Sequence, residues 1–509
     1  MKPYKQIEID RKKNYTNQEL NTVHRSSLLI PKIEKFSTNI SFLNHFLLKR
    51  NYKEISLKLS AFDDYGKSSD SVTFTVDKPI VYSFNLEEIF GDSINCFQAE
   101  FFSAKNLYIP FPAVMVNHFS EHSINTVHSY NRVLNDLNES DKITSVQVKE
   151  SSIDISIRNE TDTFFLIQSG ISEIKNKTLE IKLIDNKNTN KFYKKNINLF
   201  MPKMHVKKFI LSKIFIQEEF NKVSPGEYTL KIKQPHQEMF YGRIFAAIKS
   251  NKYLGFSGNH SYYDSSDFKE YFKLKESFRT FPYFINQKNL IRIYPIMSPG
   301  IGLIIIKLNY FENNELLNSN IACEKEFINS KTFLEIDIEE LAGKDIKMKK
   351  NIKSFTIIYK SKSNHGAPTR VNFQLVYGSK KETSINTSIN NSLTSNEKKI
   401  FTNKEKYSWC QLVNMKEYYS QIGICFNDKI LNKESKNNKI SIEIYDEKGL
   451  IKNFEIYLKA LDSYFINKDD ITSQSKFIWI FAKTNKSGLS MYSYNLNTKT
   501  LISSGEHSF

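Results

Sequence analysis

Glycine and proline are scarce in this chain of 509 residues, at 16 and 12 residues. A collagen-like protein needs glycine at every third position, and a flexible low-complexity chain is rich in both residues, so both classes are excluded. Hydrophobic residues make up 40% of the chain and aromatic residues 13%, which is enough for packed cores. Because a single core rarely extends over so long a chain, we expect three or four domains.

Cysteine is also scarce, and none of the four cysteines forms a CxxC pair or lies at zinc-ligand spacing from histidine. We expect buried free thiols of a reducing compartment, with a Cys410–Cys425 bridge as the alternative. The longest apolar runs, 107–116 and 301–308, are too short to span a bilayer. The first residues lack the apolar core of a signal peptide. The sequence therefore predicts a soluble protein, cytoplasmic by default, with leaderless export as the alternative.

Arginine contributes only nine of the 72 basic residues. The formal net charge of +17 favours an anionic partner. Surfaces that read nucleic-acid sequence depend on arginine forks, however, and no arginine cluster or specific nucleic-acid motif is present. The lysines mostly alternate with apolar residues or lie in turns. Two interpretations stay open: a solvated surface, and a face that binds a polyanion such as acidic polysaccharide, lipid headgroups or nucleic acid.

Four segments share a pattern in which apolar and polar residues alternate before an Asp, Asn or Glu. They begin at Ile55, Leu179, Ile304 and Ile440. Alternation with period two predicts a half-buried strand that runs into a turn. When the segments are aligned on Lys58, Lys182, Lys307 and Glu443, these positions lie 124, 125 and 136 residues apart.

Two further marks recur in the same order along the chain. A strand passing into a short Leu/Phe-rich helical turn is predicted at 82–90, 207–215 and 333–343, with a weaker copy at 454–465. Another strand is predicted at 96–106, 243–252, 355–364 and 477–486. A repeat about every 125 residues predicts a mainly-β fold, a tandem array of about four antiparallel β-sandwich units, jelly-roll or Ig-like, with few short helices.

Composition sets the predicted boundaries. They are an N-terminal arm at 1–35, sandwich units at 36–140, 141–268 and 269–379, a polar linker at 380–400, and a last unit at 401–509. The linker is rich in Ser, Asn and Thr and has no apolar period. Segment 40–51 is interpreted as a helix or a covered strand.

No phosphate-binding loop, dinucleotide fingerprint or nucleophile elbow is present. His118, Glu121 and His122 fit the pattern H-x-x-E-H, in which two imidazoles on one helix face bind zinc and the glutamate polarises a metal-bound water. Residues 118–122 resemble the inverted zinc-protease signature of the insulin-degrading enzyme family, which implies a zinc-dependent hydrolase. Pro112 upstream and β-branched residues downstream disfavour the required helix. A metal site of His118, His122 and His128 on strands or loops is the other arrangement.

An Asn/Glu–His–Ser/Gly triplet occurs four times, around His122, His260, His365 and His507. We expect turn chemistry that closes a corner of each sandwich, with a ligand-facing loop as the alternative. Segment 255–264 suits such a loop, with two tyrosines as stacking faces. The candidate ligand-binding residues are therefore His260, Tyr262, Tyr263, His122, His128 and His365.

Repeated sandwiches without a catalytic motif predict a non-catalytic binding or scaffolding protein. We expect it to engage a carbohydrate or another polyanionic surface polymer, without a cofactor. One alternative is a structural or assembly component of a viral or phage particle, since β-sandwiches also serve there. The second is a zinc-dependent hydrolase that uses His118, Glu121 and His122, the only interpretation in which zinc is a cofactor.

Overall fold

A computed structural model describes residues 24–103, 109, 112–129, 132–135, 150–215, 225–235, 243–264, 275–293, 301–312, 315–328, 331–343, 350–362, 371–393, 405–426, 438–485 and 488–509. In these residues the strands pair into eight antiparallel sheets. The chain divides into two compact units, residues 1–267 and 268–509, each holding four of the sheets. The predicted mainly-β fold of tandem β-sandwiches with few short helices is confirmed.

The first sandwich sets the strand order that the other three repeat. Its strands are β1 (His24–Pro31), β2 (Ser37–Leu43), β3 (Ile55–Phe62), β4 (Ser68–Val76), β5 (Val81–Asn85), β6 (Cys96–Ser103), β7 (Met115–Phe119), β8 (Ile124–His128) and β9 (Arg132–Asn135). One sheet has the order β4-β3-β6-β1-β9, and the other has the order β5-β2-β7-β8.

The second sandwich has the same arrangement and completes the first unit. Its strands are β10 (Glu150–Ile157), β11 (Thr161–Gln168), β12 (Ile174–Asp185), β13 (Phe192–Met201), β14 (Val206–Ile210), β15 (Gly226–Lys233), β16 (Phe245–Ser250), β17 (Phe256–His260) and β18 (Tyr262–Asp264). The sheet orders are β13-β12-β15-β10-β18 and β14-β11-β16-β17.

The third sandwich has eight strands in the residues that the structure describes. Its strands are β19 (Glu276–Pro282), β20 (Lys288–Ile293), β21 (Ile301–Glu312), β22 (Glu315–Ile328), β23 (Leu334–Asp337), β24 (Ile352–Ser361), β25 (Val371–Gly378) and β26 (Thr387–Leu393). The sheet orders are β19-β24-β21-β22 and β23-β20-β25-β26.

Eight strands are also described for the fourth sandwich. They are β27 (Lys406–Val413), β28 (Tyr418–Phe426), β29 (Asn438–Asp446), β30 (Gly449–Leu458), β31 (Ser463–Asn467), β32 (Phe477–Thr484), β33 (Leu489–Asn497) and β34 (Ser503–His507). The sheet orders are β27-β32-β29-β30 and β31-β28-β33-β34. The first repeat mark is confirmed, because its four segments are the third strands β3, β12, β21 and β29.

The helix α1 (His45–Arg50) follows the second strand of the first sandwich. As the second repeat mark predicts, short helices also follow the fifth strands of the first three sandwiches: α2 (Leu86–Phe90), α3 (Leu211–Ile214) and α4 (Ile338–Leu341). In the fourth sandwich the counterpart is β31 with a 3-10 turn at Lys468–Asp470, so the predicted copy at 454–465 is displaced. Segment 40–51 holds both a strand and a helix, since α1 follows β2. No helix in the described residues is long and apolar enough to cross a membrane.

Strand alternation builds each core. In the second sandwich, Ile181 and Leu183 of β12 alternate with polar residues and pack with Phe165 and Ile167 of the facing sheet. Each of these side chains is fully buried. Burial of one such side chain contributes about 1.5–3 kcal/mol, so alternation fixes which face of each strand turns inward.

Two strands lie outside the predicted sandwich units. Strand β1 lies inside the predicted arm at 1–35. Strand β26 lies in the predicted linker at 380–400 and is the eighth strand of the third sandwich. The segment 243–252 forms β16, a seventh strand, whereas its three proposed counterparts are sixth strands.

The cysteines are free thiols, so the alternative Cys410–Cys425 bridge is not formed. Cys96, Cys410 and Cys425 are buried, and burial raises the pKa of Cys410 and Cys425 to about 12. Cys323 lies half-buried on the edge strand β22.

Edge strands bring the two sandwiches of the first unit together. The amide of Gly258 in β17 donates to the Asn125 side chain in β8 (2.7 Å), and that of Phe256 donates to the Ser123 hydroxyl (3.3 Å). Farther along, the Val206 amide donates to the Asn95 side chain (2.8 Å). Polar contacts to the edge strands β8, β14 and β17 therefore contribute to the junction.

In the second unit, aromatic side chains of both sandwiches meet in one core cluster. Tyr492 and Tyr494 of β33 belong to the core cluster of the third sandwich, together with Phe281 and Phe284. Arg279 of β19 donates to the side chain of Asn391 in β26 (2.6 Å).

Candidate functional site

The H-x-x-E-H residues lie on a strand and a turn. His118 is in β7, and the chain reverses after Phe119 so that Glu121 and His122 precede β8. The His118 side chain is fully buried, whereas 75% of the Glu121 side chain is exposed. The zinc-protease signature requires a helix. No helix is formed here, because the segment begins in β7 and turns into the paired strand β8. The described part of the chain does not gather these three side chains into a common ligand cluster.

His118 is a buried aromatic side chain of the junction. Its ring lies near Phe245 (6.5 Å between centroids) and Phe256 (6.2 Å) of the second sandwich. Neither ring nitrogen has a hydrogen-bond partner in the described residues. Desolvation lowers the pKa of His118 to about 3, so the ring is neutral at ordinary pH.

The strand register identifies the true counterparts among the repeated histidines. His128 of β8 lies opposite Met115, His260 of β17 opposite Phe245, and His507 of β34 opposite Tyr492. Each is at the end of an eighth strand and precedes a serine. His128 therefore replaces His122 in the set, and the predicted alignment of the first triplet is wrong. His122 lies in a turn beside Tyr253, with ring centroids 5.6 Å apart.

In the third sandwich this strand position is taken by Asn391, which lies opposite Phe373. The triplet of His365 lies outside the described residues. Asn391 accepts from Arg279 and donates to the Tyr492 hydroxyl (3.4 Å). The eighth-strand position is thus polar in every sandwich, with an amide in place of imidazole in the third.

The predicted loop at 255–264 is formed by two strands, β17 and β18. His260 is buried, at 1% exposure, and His128 is 9% exposed. Tyr262 and Tyr263 lie in β18, which pairs with β10. A ligand-binding role for His260, Tyr262, Tyr263, His122, His128 and His365 stays a prediction.

The second sandwich carries a basic row that sequence spacing does not reveal. Lys182 of β12 lies directly opposite Lys194 of β13 and directly opposite Lys231 of β15. Like charges directly opposite on a sheet are destabilising. We call Lys194, Lys182 and Lys231 the lysine row. The neighbouring Ile181 and Leu183 point into the core, so the row is on the outer face of the sheet.

The other sandwiches differ at the equivalent row. In the first, Lys58 lies opposite Thr73 and Glu100. In the third, Lys307 lies opposite Ile321 and Thr356, and in the fourth, Glu443 lies opposite Asn453 and Phe481. Lys58, Lys182, Lys307 and Glu443 do share one position, but only the second sandwich has three lysines there.

One carboxylate accompanies the row. Glu180 accepts from Lys194 (2.5 Å) and lies 3.3 Å from the ammonium of Lys233. The hydrogen bond from Lys194 is the main reason that the pKa of Glu180 is lowered. The Lys182 ammonium lies over the Phe192 ring, 4.0 Å from its centroid. Four lysines and one glutamate leave this patch positively charged.

Exposed aromatic rings lie at both ends of β13. Phe192 is 49% exposed and Phe200 is 62% exposed. Asn196 and Asn198 share their outward-facing strand parity and are also exposed. The outer face of the second sandwich therefore combines ammonium groups, amides and aromatic rings. From sequence these lysines are expected only on a general basic surface, because the partners are 12 to 49 residues apart in the chain.

The chain matches no known protein-family model, and no curated protein is significantly similar to it in sequence.

Proposed function

We propose that the protein is a non-catalytic binding or scaffolding protein whose β-sandwiches engage an acidic polysaccharide through the lysine row. The observation that carries this proposal is the direct juxtaposition of Lys194, Lys182 and Lys231 across three strands. Their mutual repulsion works against folding, and a bound polyanion relieves it.

The surroundings of the row favour a polysaccharide over a nucleic acid. The amides of Asn196 and Asn198 supply both donors and acceptors for sugar hydroxyls. Phe192 and Phe200 offer apolar ring faces at the ends of the same strand. Among the described residues the patch contains lysine and no arginine, whereas bidentate arginine is the common means of reading bases.

Matched alanine variants test the proposal. We expect the full chain to bind an acidic polysaccharide, such as a polyuronate, and to ignore its neutral counterpart. Lys182→Ala should weaken binding about fivefold, because each lysine contributes about 1 kcal/mol to the binding free energy at an anionic surface. Lys58→Ala removes the equivalent lysine of the first sandwich, where Glu100 lies opposite, and should leave binding unchanged.

The salt dependence gives a second readout. Binding by ammonium groups releases counterions, so affinity should fall as salt rises, and less steeply for Lys182→Ala than for the wild type. Equal losses of affinity in Lys182→Ala and Lys58→Ala would mean that net charge alone binds the polymer. The lysine row would then have no special role.

Assembly into a particle is a second candidate function, favoured by the edge of β22. This strand of 14 residues ends its sheet, and in the described residues it pairs only with β21. Four of its apolar side chains are exposed: Leu316 (40%), Leu317 (54%), Ile321 (58%) and Ile328 (39%). Such an edge can accept a strand from another molecule, although two register shifts along β22 shorten the regular stretch.

Sedimentation tests this second candidate. Large regular assemblies that disappear in Ile321→Lys would support it, because a charge at the centre of an edge blocks strand addition. A wild-type chain that remains a monomer at high concentration would refute it.

A further inference from the structure

His128 and His260 meet where the two sandwiches of the first unit join. Each lies at the end of an eighth strand, β8 or β17, and the amide of Gly258 in β17 donates to the side chain of Asn125 in β8. The imidazole rings are 4.4 Å apart between centroids and nearly perpendicular, at 85°. A ring nitrogen of His128 and one of His260 lie within 4.8 Å of each other.

We propose that His128 and His260 bind a late first-row divalent metal ion, such as zinc, and so link the first sandwich to the second. Imidazole nitrogen is a favoured ligand of zinc, copper and nickel. This inference does not depend on the proposed polysaccharide, since the lysine row lies on the other sheet of the second sandwich.

The hydrogen bonding of His260 fixes which nitrogen can bind the ion. Its Nδ1 lies 2.9 Å from the carbonyl oxygen of Ser261. A carbonyl oxygen only accepts, so Nδ1 carries the hydrogen and Nε2 of the neutral ring carries the lone pair. This is the arrangement in which a backbone carbonyl orients a metal-ligating histidine. A guanidinium nitrogen of Arg243 lies 3.4 Å from the same Nδ1. Because a guanidinium only donates, it makes no hydrogen bond to a protonated Nδ1, and the shorter contact to the Ser261 carbonyl sets the tautomer.

The separation of the rings suits a shared ion after a small side-chain adjustment. Zinc–nitrogen bonds of about 2.0–2.1 Å at tetrahedral angles place two ligand nitrogens about 3.3 Å apart. The observed upper bound of 4.8 Å requires a shift of no more than about 1.5 Å, shared between two rotatable rings. Two water molecules would complete a four-coordinate site, one more than in zinc sites with three protein ligands.

The chain itself supplies a conservative substitution for the test. Asn391 holds the equivalent strand position in the third sandwich, where it bonds Arg279 and Tyr492. His128→Asn and His260→Asn therefore place a residue that this fold already accepts. His122→Asn is the matched control, because His122 lies in the turn before β8 and 33% of its side chain is exposed.

The experiment uses the full chain, stripped with a chelator and dialysed against zinc chloride. We expect stoichiometric zinc in the wild type and in His122→Asn. In His128→Asn and His260→Asn the affinity should fall on the order of 100-fold, since loss of a mere outer partner already costs 10–100-fold. Circular dichroism without zinc checks that each variant is folded.

Thermal unfolding supplies an independent readout. Zinc should raise the Tm of the wild type and of His122→Asn and leave that of His260→Asn unchanged, because an ion that binds only the folded state stabilises it. A wild type that binds no zinc would overturn the proposal. So would zinc binding that is equally tight in His128→Asn and His260→Asn.

Discussion

Replacing His118 with leucine should make the first unit more resistant to acid. His118 is fully buried, and desolvation lowers its pKa to about 3, compared with 6.5 for an exposed histidine. Above pH 6.5 the ring is neutral in both the folded and the unfolded chain. Below pH 6.5 only the unfolded chain takes up the proton, so the free energy of unfolding falls by about 1.4 kcal/mol per pH unit until about pH 3.

Between pH 7 and pH 5 this group alone removes about 2 kcal/mol from the free energy of unfolding. His45 adds a loss in the same direction, since burial lowers its pKa to about 3 as well, against a hydrogen bond to the Leu43 carbonyl. His118→Leu should keep the contribution of His45 and lose that of His118. The variant should therefore lose about 2 kcal/mol less than the wild type over this pH range.

The assay must follow the unfolding of the first unit. Both tryptophans, Trp409 and Trp479, lie in the fourth sandwich, so their fluorescence reports the second unit. The protein is unfolded in urea at pH 7 and pH 5 and then labelled with a hydrogen-exchange pulse at one fixed pH. The deuterium uptake of peptides that cover β7 and β8 then reports unfolding of the first unit. His122→Leu is the control in the same motif. Equal losses of stability in the wild type and His118→Leu would refute the buried, neutral state of His118.

Three further outcomes follow from the structure. Gly66→Ala should destabilise the first unit by at least about 1–3 kcal/mol in urea unfolding, because Gly66 has a φ of +69° and a β-carbon would lie 1.9 Å from the Lys203 carbonyl oxygen. Iodoacetamide should label Cys323 in the folded chain before the buried thiols, which mass spectrometry can check; earlier labelling of Cys410 would contradict the burial. Phe509→Ala should change tryptophan fluorescence and cost about 1–3 kcal/mol, since its ring lies about 6 Å from both indoles; an unchanged spectrum would argue against that packing.

Strand alternation allowed the repeat to be predicted from sequence. Lys58, Lys182, Lys307 and Glu443 all fall on third strands because a polar residue between two core residues must point outward. The Leu/Phe-rich turns were also recognisable, since a buried leucine begins each short helix at Leu86 and Leu211. Local pattern is sufficient where one face of a strand is apolar.

Strand β26 escaped prediction because its burial depends on polar contacts. Its Asn390 and Asn391 are almost fully buried, yet the segment has the composition of a linker. Asn391 is held by Arg279 and Tyr492, which are 112 and 101 residues away in sequence. No local apolar period can report such contacts.

The grouping of the candidate-site residues escaped prediction for the same reason. The triplet around His122 resembles its counterparts in sequence. The pairing of β7 with β8 nevertheless places His128, and not His122, at the equivalent position of the eighth strand. The lysine row exists only because the sheet register places Lys194 and Lys231 on either side of Lys182. Charge composition indicated a basic surface, and pairing across strands determined where it is concentrated.

Hydrogen exchange in the presence of an acidic polysaccharide tests the proposed function most directly. We expect the polymer to protect peptides covering β12, β13 and β15, which carry the lysine row, and not the equivalent strands β3, β4 and β6 of the first sandwich. Protection should be reduced in Lys182→Ala. Protection elsewhere in the chain, or none with any acidic polymer, would contradict the assignment of binding to this face.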